Sequence, residues 1–204
     1  MSSTPGIDAA IDRSELVRRA FETARQAHAG QTRDGSGGMP YINHPLAVAE
    51  RLATHSFPDE VLAAALLHDV VEDSEMDVAE VRERFDNRVA DLVEALTEDE
   101  SIEDYEQRKE EHRHRVGEAG QDALAVFAAD KLTNVAMLRD AYAVTGESVS
   151  NELKVPLDRK IYVWEADLDM LFDEAPDLPL VQELADEMVG LWGDRFKDAR
   201  ASSG

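Results

Sequence analysis

Apolar residues recur at spacings of three and four along nearly the whole chain, the period of a helix with one buried face. In "SELVRRAFETARQAHAG" the stripe is Leu16, Val17, Ala20, Phe21, Ala24 and Ala27, with Asp12 and Glu15 as a capping box and Gly30 as the stop. Residues 31–43, "QTRDGSGGMPYIN", carry three glycines and a proline without periodicity and read as a loop. Pro45 opens a helix through about His55, and Ser56 and Pro58 start the next, running to about Asp73. "SEMDVAEVRERF" restarts after a cap at Ser74 or Asp77, and "DNRVADLVEALT" follows as another amphipathic segment. Residues 98–118 are dominated by charge and read as a solvated helix or a mobile lid, with no core to seek there. "QDALAVFAADKLTNVAMLRD" is strongly apolar, 141–151 is a loop, and two helices at about 152–173 and 178–193 close the pattern.

No β-alternation persists and no internal repeat is visible, so the expectation is an all-α chain of one domain. It divides into a flexible N-terminus over 1–12, a core over 13–140, C-terminal helices over 141–195 completing the same domain, and a loose tail over 196–204.

The 204 residues are 43% hydrophobic, enough for a sizeable core. No apolar run approaches the roughly 18 residues of a membrane span, and "MSSTPGIDAAIDRSE" lacks the basic and apolar regions of a signal peptide. Without cysteine there is no disulfide or thiol chemistry, and a cytoplasmic protein is expected. The 44 acidic against 21 basic residues, a formal charge of −23, argue against nucleic acid or an anionic membrane as partners. They leave room for a small anionic molecule in a cleft where a metal or an arginine reverses the potential. Adaptation to high salt is one account of the acidity and an ordinary acidic protein the other; stability measured from low to molar KCl separates them. Nothing in the pattern sets an oligomeric state.

One stretch stands apart. "AALLHDVVED", residues 64–73, runs apolar and then presents His68, Asp69, Glu72 and Asp73. His68 and Glu72 are four apart, as are Asp69 and Asp73, so each pair projects from neighbouring turns. Carboxylates crowded at the end of a buried helix repel one another and resist burial, and a divalent cation relieves both. Two further residues complete a mixed nitrogen and oxygen set. His44 lies where the glycine-rich loop meets a helix, and Asp130 is an acid appearing abruptly in "VFAADKLTN". Such a set suits Mn²⁺ or Fe²⁺, with Zn²⁺, Co²⁺ and Ni²⁺ possible. Taken singly, His44 reads as a cap and Asp130 as a partner for Lys131 or Arg139. His28 and His55 read as structural helix-end residues, and His112 and His114, two apart, as solvated.

Together, "HAGQTRDGSGGMPYINHPLAVAERL", "AALLHDVVEDSEMDVAEVRERFDNRVADLVEALTE" and "AADKLTN" resemble the HD-domain phosphohydrolases, within them the (p)ppGpp hydrolase branch of Rel/Spo-type domains and their small stand-alone relatives. The resemblance implies a single HD-domain helical bundle with a C-terminal helical extension. It implies a metal, usually Mn²⁺, on His44, His68, Asp69 and Asp130, with Glu72 and Asp73 as the catalytic acidic pair. Arg33 would pack against the nucleotide base and Asn134 contact the nucleotide, with Lys131, Lys160 and Tyr162 as further substrate contacts. The activity implied is removal of the 3′-pyrophosphate of a guanosine nucleotide, leaving GDP or GTP, without synthesis because no synthetase domain follows. Asp34 and the "DGSGG" loop depart from the pattern, as does Ala136 where relatives carry arginine, with Arg139 three further on. These losses of positive charge keep hydrolysis of another nucleotide or dinucleotide phosphate in view as an alternative. A non-catalytic nucleotide sensor is a second alternative, against which the intact ligand set and the Glu72–Asp73 pair argue.

Overall fold

The computed structural model describes residues 6–33, 38–146 and 153–192. The described residues form eleven helices and no strand; an isolated bridge pairs Thr32 with Pro40 across the glycine-rich loop. The all-α expectation holds. No described helix is long and apolar enough to cross a membrane.

The helix α1 (Ile7–Arg13) occupies a stretch expected to be flexible, and buries Ile7 and Ala10. Ile7 donates its amide to Glu50 Oε2 at 2.5 Å, which ties the segment down. Because α1 runs to Arg13, the Asp12–Glu15 box does not form. Instead the Ser14 side chain accepts from the Val17 amide and starts α2 (Glu15–Ala27). Then come α3 (Asn43–Thr54), two residues ahead of Pro45, and α4 (Asp59–Leu67). All seven residues from Val61 to Leu67 are buried, so α4 is the central rod of the bundle. Three consecutive alanines, Ala63 to Ala65, let the neighbouring helices α2 and α3 approach it closely.

The long helix expected up to Asp73 is split. At His68 and Asp69 the backbone opens, with ψ near zero at Asp69, before a short α5 (Val70–Asp73). Asp77 and Glu80 form the capping box of α6 (Val78–Arg84), and the Asp86 side chain caps α7 (Asn87–Leu96). Asp104 caps α8 (Tyr105–Ala119), and Gly120, at φ 90°, turns the chain into α9 (Gln121–Thr145). The last pair is α10 (Leu157–Glu174) and α11 (Pro179–Trp192).

Two further expectations change. Residues 141–145, expected as loop, continue α9. The charged segment is neither free nor without core: α8 packs on α7, α9 and α10, burying His112 and Val116. His112 is 4% exposed with its ring edge-on to Phe127, whereas His114 faces solvent as expected. A polar inward face carries no hydrophobic period, which is why the burial of α8 was invisible. The proposed tail at 196–204 and the first five residues lie outside the described residues.

Candidate active site

Three helices meet at the opening after α4. The first turn of α3 places His44, 1% exposed, against the end of α4, and the middle of α9 places Asp130 beside both. His68 Nδ1 lies 2.7 Å from the Ala65 carbonyl, so this nitrogen carries the proton and Nε2 is turned to the cluster. Nε2 of His68 lies 3.1 Å from Asp69 Oδ1 and 3.7 Å from Asp130 Oδ1. Nε2 of His44 lies 3.0 Å from Asp130 Oδ1 and 3.6 Å from Asp69 Oδ2. His44, His68 and Asp130 each offer a ligand atom within 4.8 Å of the others, and Asp69 reaches the same two nitrogens.

Both Nε2 atoms are buried without a well-formed hydrogen bond despite these close carboxylates. That arrangement fits a divalent cation: two imidazole nitrogens and two carboxylates converge on one point. The electrostatics agree. Burial pulls His44 down, while at His68 the charges of Asp69 and Asp130 overcome burial and push it up to about 9. Burial works against ionised Asp69 and Asp130, yet His68 holds the first down and Lys131 the second. Asp130 is further fixed by Lys131 Nζ at 2.9 Å and Asn134 Nδ2 at 2.8 Å.

Glu72 and Asp73 follow on α5. Glu72 Oε1 accepts the Glu98 amide at 2.7 Å, and burial together with the Asp69 charge pushes its carboxyl up to about 7. The Tyr41 hydroxyl lies 2.6 Å from Asp73 Oδ2 and 2.8 Å from Asp69 Oδ2, so its single proton serves one carboxylate at a time. Tyr41 stacks on His28 with centroids 4.5 Å apart, and Gln31 joins His28 Nδ1 to the Asp73 carbonyl. Sequence reasoning passed over Tyr41; its signal was an aromatic hydroxyl three residues before His44, at the mouth of the helix.

These groups open into a cavity of about 200 Å³. Arg33, Lys131, Asn134 and Lys160 line it together with Asp69, Asp130, Glu72 and Asp73. Arg33 Nη2 donates to Asn134 Oδ1 at 2.5 Å, its Nη1 lies 3.7 Å from Asp69 Oδ2, and its guanidinium sits over the Tyr41 ring. Burial, with Lys109 and Lys131 nearby, pulls Lys160 down to about 8.

Tyr162 is not part of the cavity. Lys160, Val163, Trp164 and Asp167 form the facing stripe of α10, and Tyr162, two positions from Lys160, points outward at 62% exposure. Arg139 does not replace the charge lost at Ala136, since it pairs with Asp140 and Glu187 on the surface. Asp34 and the glycines at 35 and 37 lie outside the described residues. Glu98, Tyr105 and Lys109 also line the cavity and were missed, because they sit in a charge run with no distinguishing pattern.

A family model described as HD domain matches residues 20–153. Over 156 residues the chain is 35% identical to the guanosine-3′,5′-bis(diphosphate) 3′-pyrophosphohydrolase of Aquifex aeolicus, covering 74% of this chain and 22% of that protein. The chain thus spans about a fifth of that relative's length. Over 140 residues it is 40% identical to the human protein of the same name, MESH1, covering 67% of this chain and 75% of that one. Among solved structures, a metazoan ortholog of SpoT, described as hydrolysing ppGpp, superposes with a TM-score of 0.73 at 26% identity, over 88% of this chain and 97% of that one. A protein from Listeria monocytogenes superposes with a TM-score of 0.67 at 33% identity, over 73% of this chain and 98% of that one.

Proposed function

The chain belongs to the HD domain family, and from that membership we propose that it is a metal-dependent hydrolase removing the 3′-pyrophosphate of guanosine tetraphosphate or pentaphosphate. The products are pyrophosphate and GDP or GTP. The observation that carries the reading is the meeting of His44, His68, Asp69 and Asp130 beside a cavity that Asp69 and Asp130 line together with Arg33, Lys109, Lys131 and Lys160. The names of the Aquifex and human relatives support the substrate.

His44, His68, Asp69 and Asp130 would hold the cation, Mn²⁺ in this reading. When bound, that cation would lower the pKa of a coordinated water towards neutrality and offset charge on phosphate oxygens. The protein does the rest. Glu72, with its carboxyl near neutrality, accepts the proton of the attacking water. Asp73, tethered by Tyr41 and by Gln31 at its carbonyl, helps orient that water. Lys109, Lys131 and Lys160 receive phosphate oxygens, and Arg33 with Asn134 borders the nucleoside. The bond between the 3′ oxygen and phosphorus breaks. The water oxygen stays on pyrophosphate, and the 3′ oxygen recovers a proton as a hydroxyl. A nucleotide substrate accords with the cytoplasmic setting expected from the sequence.

The test is the purified protein with Mn²⁺ and a nucleotide panel. Pyrophosphate released from ppGpp is the expected result. Orthophosphate released from another nucleotide overturns the substrate, and silence across the panel favours a sensor.

A further inference from the structure

Glu72 is held by a peptide group, not by a side chain. Its Oε1 accepts the Glu98 amide at 2.7 Å, and no other described residue hydrogen-bonds to its carboxylate. The carbonyl of that same peptide unit belongs to Thr97, and it accepts from Arg115 Nη1 at 2.5 Å. The Glu98 carboxylate, 13% exposed, is in turn gripped by Arg108 Nε at 3.0 Å and by Lys109 Nζ. All three cations stand on α8, the segment whose charge had no assigned purpose.

We propose that the Thr97–Glu98 peptide is a positioning device for Glu72, clamped by α8 through Arg115 on its carbonyl and through Arg108 and Lys109 on the Glu98 carboxylate. This rests on the role given to Glu72 above. The backbone leaves this peptide open to such a clamp. At Thr97 the chain has already left α7, with φ −78° and ψ 128°, so helical hydrogen bonding no longer fixes the Thr97 carbonyl. A guanidinium on the carbonyl oxygen polarises the peptide and strengthens its N–H as a donor. The donor then selects one placement of Glu72 and leaves Oε2 for the water. Arg115 and Glu98 are therefore positioning residues, and Arg115 does not line the cavity.

Arg115 also reaches the Glu94 carbonyl at 3.3 Å, so a plain helix-end cap is the competing account. A double-mutant cycle on the metal-loaded full chain separates the two. Arg115→Met should lower kcat for ppGpp about tenfold, as a mispositioned catalytic group does. KM and metal content should hold, and Arg115→Lys should restore part of the rate. In a Glu72→Gln background, Arg115→Met should cost nothing more. An equal fractional loss in both backgrounds, or a lowered Tm with kcat intact, overturns the clamp. Should Arg115→Met fail to fold, Glu98→Gln enters the same cycle, judged only on kcat and on its coupling to Glu72→Gln, because Glu98 also pairs with the cavity-lining Lys109. The Glu98 amide in ¹H–¹⁵N spectra provides a readout free of turnover. Its proton should lie downfield and move upfield in both Glu72→Gln and Arg115→Met; an amide unmoved by Arg115→Met overturns the proposal. Failure to hydrolyse ppGpp would refute the functional reading and leave the amide to judge the clamp.

Discussion

The Tyr41 hydroxyl lies 2.6 Å from Asp73 Oδ2, linking the loop before α3 to the acidic end of α5. The same oxygen stands 2.8 Å from Asp69 Oδ2. One phenolic proton thus spans a proposed metal ligand and a proposed water-orienting carboxylate. Tyr41→Phe keeps the stacking on His28 and removes only this proton. Hydrogen bonds to charged groups contribute about 1.5–3 kcal/mol, so kcat should fall at least about tenfold. Metal content, read by atomic absorption, should change little; loss of metal in proportion to rate would assign Tyr41 to ligand placement alone.

Glu72 should separate chemistry from metal binding. Glu72→Gln is expected to keep the cation and lose about 10²- to 10⁴-fold in kcat. A carboxyl raised to about 7 is the working base only when deprotonated, so kcat should rise with pH up to a limb near or below 7. A bound cation favours the carboxylate and moves the limb downward. The limb should vanish in Glu72→Gln, and its persistence would place the titration elsewhere.

The metal site should exchange a proton for a cation. Without metal, His68 is pushed up to about 9 by Asp69 and Asp130 against its burial. Its folded value lies above its unfolded one, near 6.5. The stability it contributes is therefore full below about pH 6.5 and lost as pH rises through about 9. The Tm difference between metal-free protein and His68→Gln should shrink across that window. Calorimetry of Mn²⁺ binding near pH 8 in buffers of different ionisation enthalpy should detect proton release. Asp69→Ala should abolish binding.

Lys160 and Tyr162 should behave oppositely despite standing two residues apart. Lys160, pulled down to about 8 by burial and by Lys109 and Lys131, loses its charge as pH rises through that value. KM for an anionic nucleotide should climb over the same range, and the climb should be absent in Lys160→Met. Tyr162→Ala, at a position 62% exposed and outside the cavity, should leave kcat and KM unchanged.

The order of chemical groups along the chain foreshadowed the grouping of His44, His68, Asp69 and Asp130, because each sits at a helix end or breaks an apolar run. Those are the places where sequence pattern is most explicit. The α4 rod and the Asp77–Glu80 box were legible for the same reason. Tyr41 was not, since its partners come from residues 28 and 32 positions away. Nor was α8, whose inward face is satisfied by Glu98 and Asp167 across the bundle instead of by apolar packing. Hydrophobic periodicity detects burial of carbon, and it is silent where burial is balanced by charge. Tyr162 shows the limit of resemblance: nearness in sequence placed it at the site, and helical geometry turned it away.

The central claim is a cation-dependent attack on the 3′-pyrophosphate. Products should be resolved chromatographically from ppGpp incubated with Mn²⁺-loaded protein, with chelated protein and with Asp69→Ala. Stoichiometric GDP and pyrophosphate from the loaded protein alone is the predicted result. Orthophosphate as the first product, or turnover undiminished by chelation and by Asp69→Ala, would contradict it.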